Sequence, residues 1–239
     1  MELAKFCLDV GIFTNRLDEM RAFYGDRIGL PYEELLPLGG GAKQYRYGLL
    51  GSVLKLNHSR EQLPERTAGG YSRITIADPR TSLPVQLNDP DGNAIQLVPT
   101  GHFGIDQIGI HLGVTNEEDF ERFYVDIFGA EKLAPKRYRM GKTILTFEAD
   151  PKARRAQRSD SRSTAEVLLS MRAVGIRYMT IQVRDCDAEF LRFRSLRVWE
   201  GSAPITLGDV ARICFIRDPD GNWIEISQRA SLTGPLPKD

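Results

Sequence analysis

The sequence predicts an α+β fold in which one pattern of strands and helices occurs twice along 239 residues. The first observation is a repeated motif, Asp-Pro-Asp-Gly-Asn, which stands at 89–93 and again at 218–222. These are turn residues, and the apolar alternation after each copy is typical of a strand with one buried face. The second observation is a repeated opening of strand, helix and aromatic pair, which places similar halves on either side of residues 98–104.

Each half is predicted to begin with an alternating strand, then an amphipathic helix that ends in Phe-Tyr and a glycine suited to a C-cap. Two strands joined through glycine follow as a hairpin, and one further strand precedes the repeated motif. In the N-terminal half these elements are 9–13, 17–24, 44–50, 52–57 and 71–76. In the C-terminal half they are 107–111, 117–124, 136–140, 143–148 and 178–183, with added helices at 164–174 and 187–195. The segment 78–84 is too short and proline-rich to match the last helix, so the N-terminal half is expected to be degenerate.

Composition excludes several classes of function. Lys plus Arg equals Asp plus Glu at 32 each, so no overall charge attracts nucleic acid or an anionic membrane, and the basic tract 152–158 is interpreted as a solvated loop. No apolar run approaches the roughly 20 residues of a membrane span, and the N-terminus lacks a signal-peptide pattern, so a cytoplasmic location is expected. The cysteines, Cys7, Cys186 and Cys214, are far apart and are expected to be reduced core thiols.

This order of elements resembles the vicinal oxygen chelate superfamily, which includes glyoxalase I, extradiol dioxygenases and bleomycin-resistance proteins. The resemblance covers nearly the whole chain. It implies tandem βαβββ modules that form two glyoxalase-like domains, each with curled mixed sheets around a cavity. The implied domains are a degenerate one at 1–99 and a more complete, active one at 105–230, followed by a tail at 231–239.

In this family a divalent metal is held by residues of the first and last strands of the modules. The resemblance places Gln107, Thr146, Tyr178 and Glu225 at these positions in the C-terminal domain, and Asp9, Lys55, Tyr71 and Gln96 in the N-terminal domain. Gln107 and Glu225 are the side chains that such sites employ routinely, so they are the candidate metal ligands. A cation there would be Mn, Ni, Zn, Mg or Fe, and no nucleotide cofactor is expected. Lys55 argues against a cation in the N-terminal domain, because its charge would have to be neutralised or displaced.

Glu225 is the principal catalytic candidate. A carboxylate in an apolar cavity has its charged form disfavoured, which brings it toward the range useful to a general base. Tyr178 is a candidate donor to a developing enolate oxygen. His111 shares a strand face with Gln107 and is a candidate ligand or base. The alternatives are that His111 only lines the cavity and that Glu225 only satisfies neighbouring backbone or arginine groups.

The leading hypothesis is a small-molecule enzyme of the lyase or isomerase type that acts on an oxygen-rich or enolisable carbonyl substrate. Gln107 and Thr146 are expected to contact the substrate and Trp223 to stack on it. An extradiol dioxygenase is disfavoured, since Gln107 and Tyr178 stand where the family's iron enzymes have histidines. A missing histidine and second glutamate likewise disfavour the glutathione-linked reaction. The competing hypotheses are a binding or resistance protein that leaves its ligand unaltered and an assembly partner that retains only the fold. Monomer and homodimer are both open.

Overall fold

The computed structural model describes residues 1–39, 41–65, 70–158 and 163–237, which form fifteen strands and five short α-helices. The strands are β1 Asp9–Thr14, β2 Tyr32–Gly39, β3 Ala42–Leu49, β4 Ser52–His58, β5 Gly70–Ala77, β6 Val85–Asn88, β7 Ala94–Val98, β8 Ile108–Val114, β9 Glu131–Ala134, β10 Arg137–Met140, β11 Thr143–Ala149, β12 Gly175–Gln182, β13 Trp199–Leu207, β14 Ala211–Arg217 and β15 Trp223–Arg229. The helices are α1 Leu17–Arg21, α2 Glu117–Arg122, α3 Thr164–Met171, α4 Cys186–Ser195 and α5 Ala230–Thr233. Among these residues, no helix is both long enough and apolar enough to cross a membrane.

The strands form two mixed sheets, and each sheet takes one module from each half of the chain. The first sheet has the order β13-β14-β15-β12-β1-β4-β3-β2, and the second has the order β6-β7-β5-β8-β11-β10-β9. In both sheets the modules join through one antiparallel contact between central strands, β1 with β12 and β5 with β8. The two modules of the C-terminal half therefore lie in different sheets, contrary to the expectation of a cavity formed within that half. The predicted domain boundary at 99–105 falls between β7 and β8.

Strict alternation along the central strands separates a core face from a cavity face. In β12, Met179 and Ile181 are fully buried in the main hydrophobic cluster, whereas Tyr178 and Gln182 line a cavity. The same rule holds along β15, where Ile226 packs in the core and Glu225 lines the cavity. Successive side chains of a strand point to opposite faces, so the alternation in sequence fixes which residues the cavity receives.

The helices α1 and α2 cover the core face. Each continues into a wider π-helical turn, at Ala22–Arg27 and Phe123–Ile127, and the Phe-Tyr pair of each half lies in that turn. Tyr24 and Tyr124 are fully buried. The aromatic pairs therefore serve core packing, as their repeated position indicated.

The two Asp-Pro-Asp-Gly-Asn motifs form the same turn. Asp89 Oδ1 accepts hydrogen bonds from the backbone nitrogens of Asp91 and Asn93 at 3.0 and 2.8 Å, and Asp218 makes the equivalent contacts in the second copy. The glycines of the two turns have φ of 80° and 91°, a conformation that glycine adopts without strain. Complete burial raises the pKa of Asp218 to about 7.

The predicted strands and helices are present with end shifts of a few residues, and five strands were not predicted. These are β2, β6, β9, β13 and β14. They lie toward the sheet edges, and the first two and β13 contain or follow proline, which weakens a strand signal. All three cysteines are free and buried, as expected, and the sulfurs of Cys186 and Cys214 are 3.7 Å apart.

Candidate functional site

The first sheet curls around a cavity of about 460 Å³, which we call the first cavity. Its apolar wall comes from β1, β12, β14 and α3, and includes Phe13, Leu168, Tyr178, Ile213 and Phe215. Its polar floor comes from β3, β4 and β15, and includes Gln44, Arg46, Lys55, Glu225 and Arg229. Charged groups held against an apolar wall are typical of small-molecule sites.

Lys55 and Glu225 form an ion pair at the floor of this cavity. Lys55 Nζ lies 2.7 Å from Glu225 Oε2, and the side chains are 5% and 12% exposed. Thr180 completes a triangle, because its hydroxyl lies 2.6 Å from both Lys55 Nζ and Glu225 Oε2. Glu225 stands beside Thr180 in the parallel pairing of β15 with β12, whereas Lys55 reaches them across β1. The pair therefore joins the N-terminal module to the C-terminal module.

Tyr178 lies over β1 because Gly11 leaves room for its ring. A Cβ at position 11 would lie 2.0 Å from Tyr178 Cε1, and the two residues are paired across the strands. The phenol oxygen accepts hydrogen bonds from Asn57 Nδ2 at 3.2 Å and Gln44 Nε2 at 3.4 Å. Lys55 Nζ lies 5.4 Å from the centroid of the ring. Tyr178 is thus held by Asn57, Gln44 and Lys55, and it lies next to the Lys55–Glu225 pair.

Burial shifts the pKa values of two side chains in the first cavity, Lys55 and Tyr178. It lowers the pKa of Lys55, and the carboxylate of Glu225 opposes that shift. Burial, together with the negative charge of Glu225, raises the pKa of Tyr178 far above its ordinary value. Tyr178 is therefore a neutral phenol at physiological pH, and a neutral phenol is a hydrogen-bond donor.

Two arginines stand at one end of the first cavity. Arg46 Nε lies 2.9 Å from Glu34 Oε1, and an Arg229 guanidinium nitrogen lies 3.5 Å from the same oxygen. Arg46 also donates to Gln44 Oε1 at 3.1 Å. With Lys55 these arginines give three positive charges against the carboxylates of Glu34 and Glu225, so this end of the cavity favours an anionic group.

The second sheet carries a separate cavity of about 640 Å³, the second cavity. His111 lies here, with Nδ1 2.7 Å from the Thr146 hydroxyl and Nε2 3.7 Å from a Glu148 oxygen. The Thr75 hydroxyl lies 3.3 Å from Gln96 Oε1 on the same face. Burial, and then the positive charge of Arg73, lowers the pKa of His111, so its imidazole is neutral at neutral pH.

The family model of the Glyoxalase/Bleomycin resistance protein/Dioxygenase superfamily matches residues 104–226, just over half of the chain. The chain belongs to this superfamily. Glyoxalase I from Zea mays has the same fold with a TM-score of 0.67 at 16% sequence identity, over 93% of this chain and 92% of that chain. A protein described as a candidate dioxygenase from Bacillus subtilis gives 0.66 at 14% identity, over 96% and 85%. A comparison with curated protein sequences finds no match. Likeness at these identities establishes the glyoxalase-like fold and leaves the reaction open.

The predicted site residues of this glyoxalase-like chain are divided between the two sheets. Glu225 and Tyr178 lie together in the first cavity, whereas His111 and Thr146 lie in the second. The structure therefore does not form the cluster of Gln107, His111 and Glu225 that the sequence suggested. The physical reason is the module pairing, since β8 and β11 belong to the second sheet and β12 and β15 to the first.

Gln107 and Trp223 lie outside both cavity linings. Gln107 precedes β8, where its amide donates to the backbone oxygen of Leu50 and accepts from Cys7 Sγ at 3.0 Å. Trp223 packs edge-on against Phe215 at 6.3 Å between ring centroids, behind the wall of the first cavity. The guanidinium carbon of Arg217 lies over the Trp223 ring, 3.5 Å from its centroid.

The donor set at the floor of the first cavity does not fit the divalent cation that glyoxalase-like folds commonly hold. The ammonium of Lys55 contacts the carboxylate that would be the ligand, and a cation there would meet a like charge. Thr180 and Tyr178 supply a neutral hydroxyl and a neutral phenol. Within residues 1–39, 41–65, 70–158 and 163–237, no group of three His, Cys, Asp or Glu side chains is placed to hold a metal.

Sequence reasoning missed Arg46 and Arg229 and considered Lys55 only as an obstacle to a metal in the N-terminal half. One signal was available for Arg229. Residues 225, 227 and 229 share a strand face by period-two alternation, so Arg229 could have been predicted to lie on the same face as Glu225.

Proposed function

We propose that this glyoxalase-like chain is an enzyme of the isomerase or lyase type that moves a proton on a small enolisable carbonyl compound in the first cavity. The observation that supports it is the Lys55–Glu225 pair, 2.7 Å apart at the floor of a largely apolar cavity. The pair offers a base and a cationic hydrogen-bond donor at adjacent positions, as proton abstraction beside a carbonyl requires.

In this proposal the ammonium group of Lys55 stabilises the negative charge that develops on the substrate, which a bound metal ion does in other proteins of this fold. Its ammonium donates to the substrate carbonyl oxygen while Glu225 removes a proton from the neighbouring carbon. The electrons of the broken C–H bond form the enolate, and its oxygen stays bonded to Lys55. Glu225 then returns the proton to the same carbon. Where that carbon carries a hydroxyl group, the hydroxyl proton can instead pass to the enolate oxygen while Glu225 protonates the former carbonyl carbon, so that the carbonyl group moves by one position and no oxidant or co-reactant is needed. The step stays in a site of low dielectric, where a fixed charge acts more strongly than in water.

Neighbouring residues orient the substrate. The Tyr178 oxygen accepts hydrogen bonds from Asn57 and Gln44, so its own hydroxyl proton is available to a ligand oxygen. Arg46 and Arg229 supply charge for a substrate carboxylate at the other end of the cavity. A 2-oxo or 2-hydroxy carboxylic acid with a small apolar body has the features that this lining would recognise.

The test is solvent deuterium exchange. A panel of 2-oxo acids is incubated with the protein in D₂O, and loss of the α-hydrogen signal is followed by NMR. Glu225→Gln is expected to slow protein-catalysed exchange by about a hundredfold or more, the usual contribution of a general base. Glu148→Gln, which alters an exposed carboxylate beside the second cavity, is the matched control and should leave exchange unchanged. If folded Glu225→Gln catalyses exchange at the wild-type rate, Glu225 is not the general base and the proposed function is wrong.

A binding protein is the second candidate, and one observation favours it. Lys55 and Glu225 already neutralise each other, and the wall of the cavity, with Phe13, Ile213 and Phe215, is apolar. Such a cavity can hold a planar ligand without changing it. Saturable binding of a ligand that is recovered unaltered, with no exchange on any 2-oxo acid, would favour this function over catalysis.

A further inference from the structure

The second cavity is a distinct space on the second sheet, and the function proposed for the first cavity does not use it. Its floor is polar but neutral, with the hydroxyl–amide pair of Thr75 and Gln96 beside the His111–Thr146 pair. Its wall is apolar and includes Phe103, Ile105 and Ile144. The volume of about 640 Å³ lies within the range of small-molecule sites.

Two arginines, Arg73 and Arg137, line this cavity, and its lining includes one carboxylate, the exposed Glu148, which approaches His111. The Nε atoms of Arg73 and Arg137 are buried and have no hydrogen-bond partner in the parts of the chain that the structure describes. Arg137 lies over the ring of Phe103 at 5.5 Å, and no ion pair joins either guanidinium to a described acidic side chain. The two side chains are half-buried, so an anion in the cavity would give each buried Nε the acceptor that it lacks.

The other charges near this cavity do not supply that anion. Glu148 is 68% exposed and approaches His111, and Lys136 is already paired with Glu117 at 2.8 Å. The pKa of His111 is lowered, so its imidazole is neutral near pH 7 and cannot act as the balancing anion. The lining therefore carries an excess of positive charge directly beside an apolar wall.

We propose that the second cavity binds a small carboxylic acid with an apolar body, whose carboxylate is held by Arg73 and Arg137. Planar guanidinium groups match the geometry of a carboxylate, and each contact to a charged group is worth more than a neutral hydrogen bond. The apolar wall receives the body of the acid. The Thr146 hydroxyl and the neutral imidazole of His111 lie alongside as further polar contacts.

Histidine NMR offers a local readout with benzoate as the probe. The chain has three histidines, and two of them, His102 and His111, line the second cavity. His58 lies at the end of β4 in the first sheet and serves as an internal reference. With labelled histidine, benzoate should shift the His111 signal saturably and leave His58 unchanged. Benzamide, which has the same shape without the charge, should cause no saturable shift.

Variants then test the two arginines. Arg73→Gln and Arg137→Gln should each weaken benzoate binding at His111 by about tenfold or more, which is the cost of losing one charged hydrogen bond. Arg46→Gln, in the first cavity, is the matched control and should leave binding at His111 unchanged. Should Arg73→Gln fail to fold, the half-buried Arg137 decides the test.

Four results would overturn the proposal. One is the absence of a saturable shift of His111 with benzoate, and another is an equal response to benzamide. The third is unweakened binding in folded Arg137→Gln. Inorganic phosphate is run beside benzoate, and tighter binding of phosphate would reject a carboxylic acid as the ligand class. None of these results depends on turnover at Glu225, so the proposal can fail while the proposed function stands.

Discussion

Removing Lys55 should destabilise the protein far more than removing an ordinary surface lysine. Lys55 and Glu225 are 5% and 12% exposed and 2.7 Å apart, so Lys55→Met leaves a mostly buried carboxylate whose remaining donor, within the described parts of the chain, is the Thr180 hydroxyl. Breaking a buried pair in this way costs about 3–5 kcal/mol, and the residual exposure of Glu225 places the expected loss near the lower end of that range.

The double variant distinguishes the net contribution of the ion pair to the free energy of unfolding from the loss caused by leaving one of its charges unpaired. Lys55→Met combined with Glu225→Leu removes both charges and replaces them with apolar side chains of similar volume. Because neither charge is then left buried and alone, its free energy of unfolding should return to within about 1 kcal/mol of the wild type. The two substitutions should therefore be strongly non-additive.

The assay is urea unfolding followed by far-ultraviolet circular dichroism and tryptophan fluorescence, both tryptophans being on the first sheet. Lys132→Met is the matched control, since Lys132 pairs with Glu121 on the surface and its loss should cost at most about 1 kcal/mol. The reasoning is refuted if Lys55→Met costs no more than Lys132→Met. It is also refuted if the double variant is less stable than Lys55→Met alone.

Three further predictions concern pH, packing and metal. Asp218, whose pKa is raised to about 7 by burial, is protonated in the folded protein where the unfolded chain has lost its proton. Its contribution to stability should therefore fall between about pH 4 and 7, and Asp218→Asn should flatten that part of the profile in urea titrations. Gly11→Ala places a Cβ 2.0 Å from the Tyr178 ring and should cost about 1–3 kcal/mol, seen as a lowered melting temperature; an unchanged value contradicts the packing described. Chelator treatment should leave the melting temperature unchanged, since Lys55 occupies the cation position beside Glu225; loss of a stoichiometric metal with a drop in melting temperature would refute this.

The fold was largely predictable because its signals are local. The two Asp-Pro-Asp-Gly-Asn motifs specify their turns through contacts within five residues, such as Asp89 with Asn93. The family resemblance placed Glu225 and Tyr178 at cavity positions, and both line the first cavity. The turn motifs and alternating strands that carry the resemblance each depend on residues that are close together in the chain.

The candidate site was less predictable because it depends on which modules pair. His111 and Gln107 were grouped with Glu225 on the assumption that the C-terminal modules share a sheet. The pairing of β1 with β12 instead brings Lys55 to Glu225, across 170 positions of the chain. Local periodicity contains no information on that choice, which is decided by the packing of whole modules.

The nesting of the modules has a consequence for how the chain folds. The second sheet uses strands from the continuous stretch 70–149, whereas the first sheet needs both 9–58 and 175–229. During synthesis the second sheet can assemble as soon as its own strands have emerged. The first sheet cannot be completed until β12 and β15 have been synthesised, and loop closure over so long a separation in the chain is slow. Until then the unpaired edge of β1 is open to a neighbouring chain, which makes the interval before the last module emerges the period of greatest risk for aggregation.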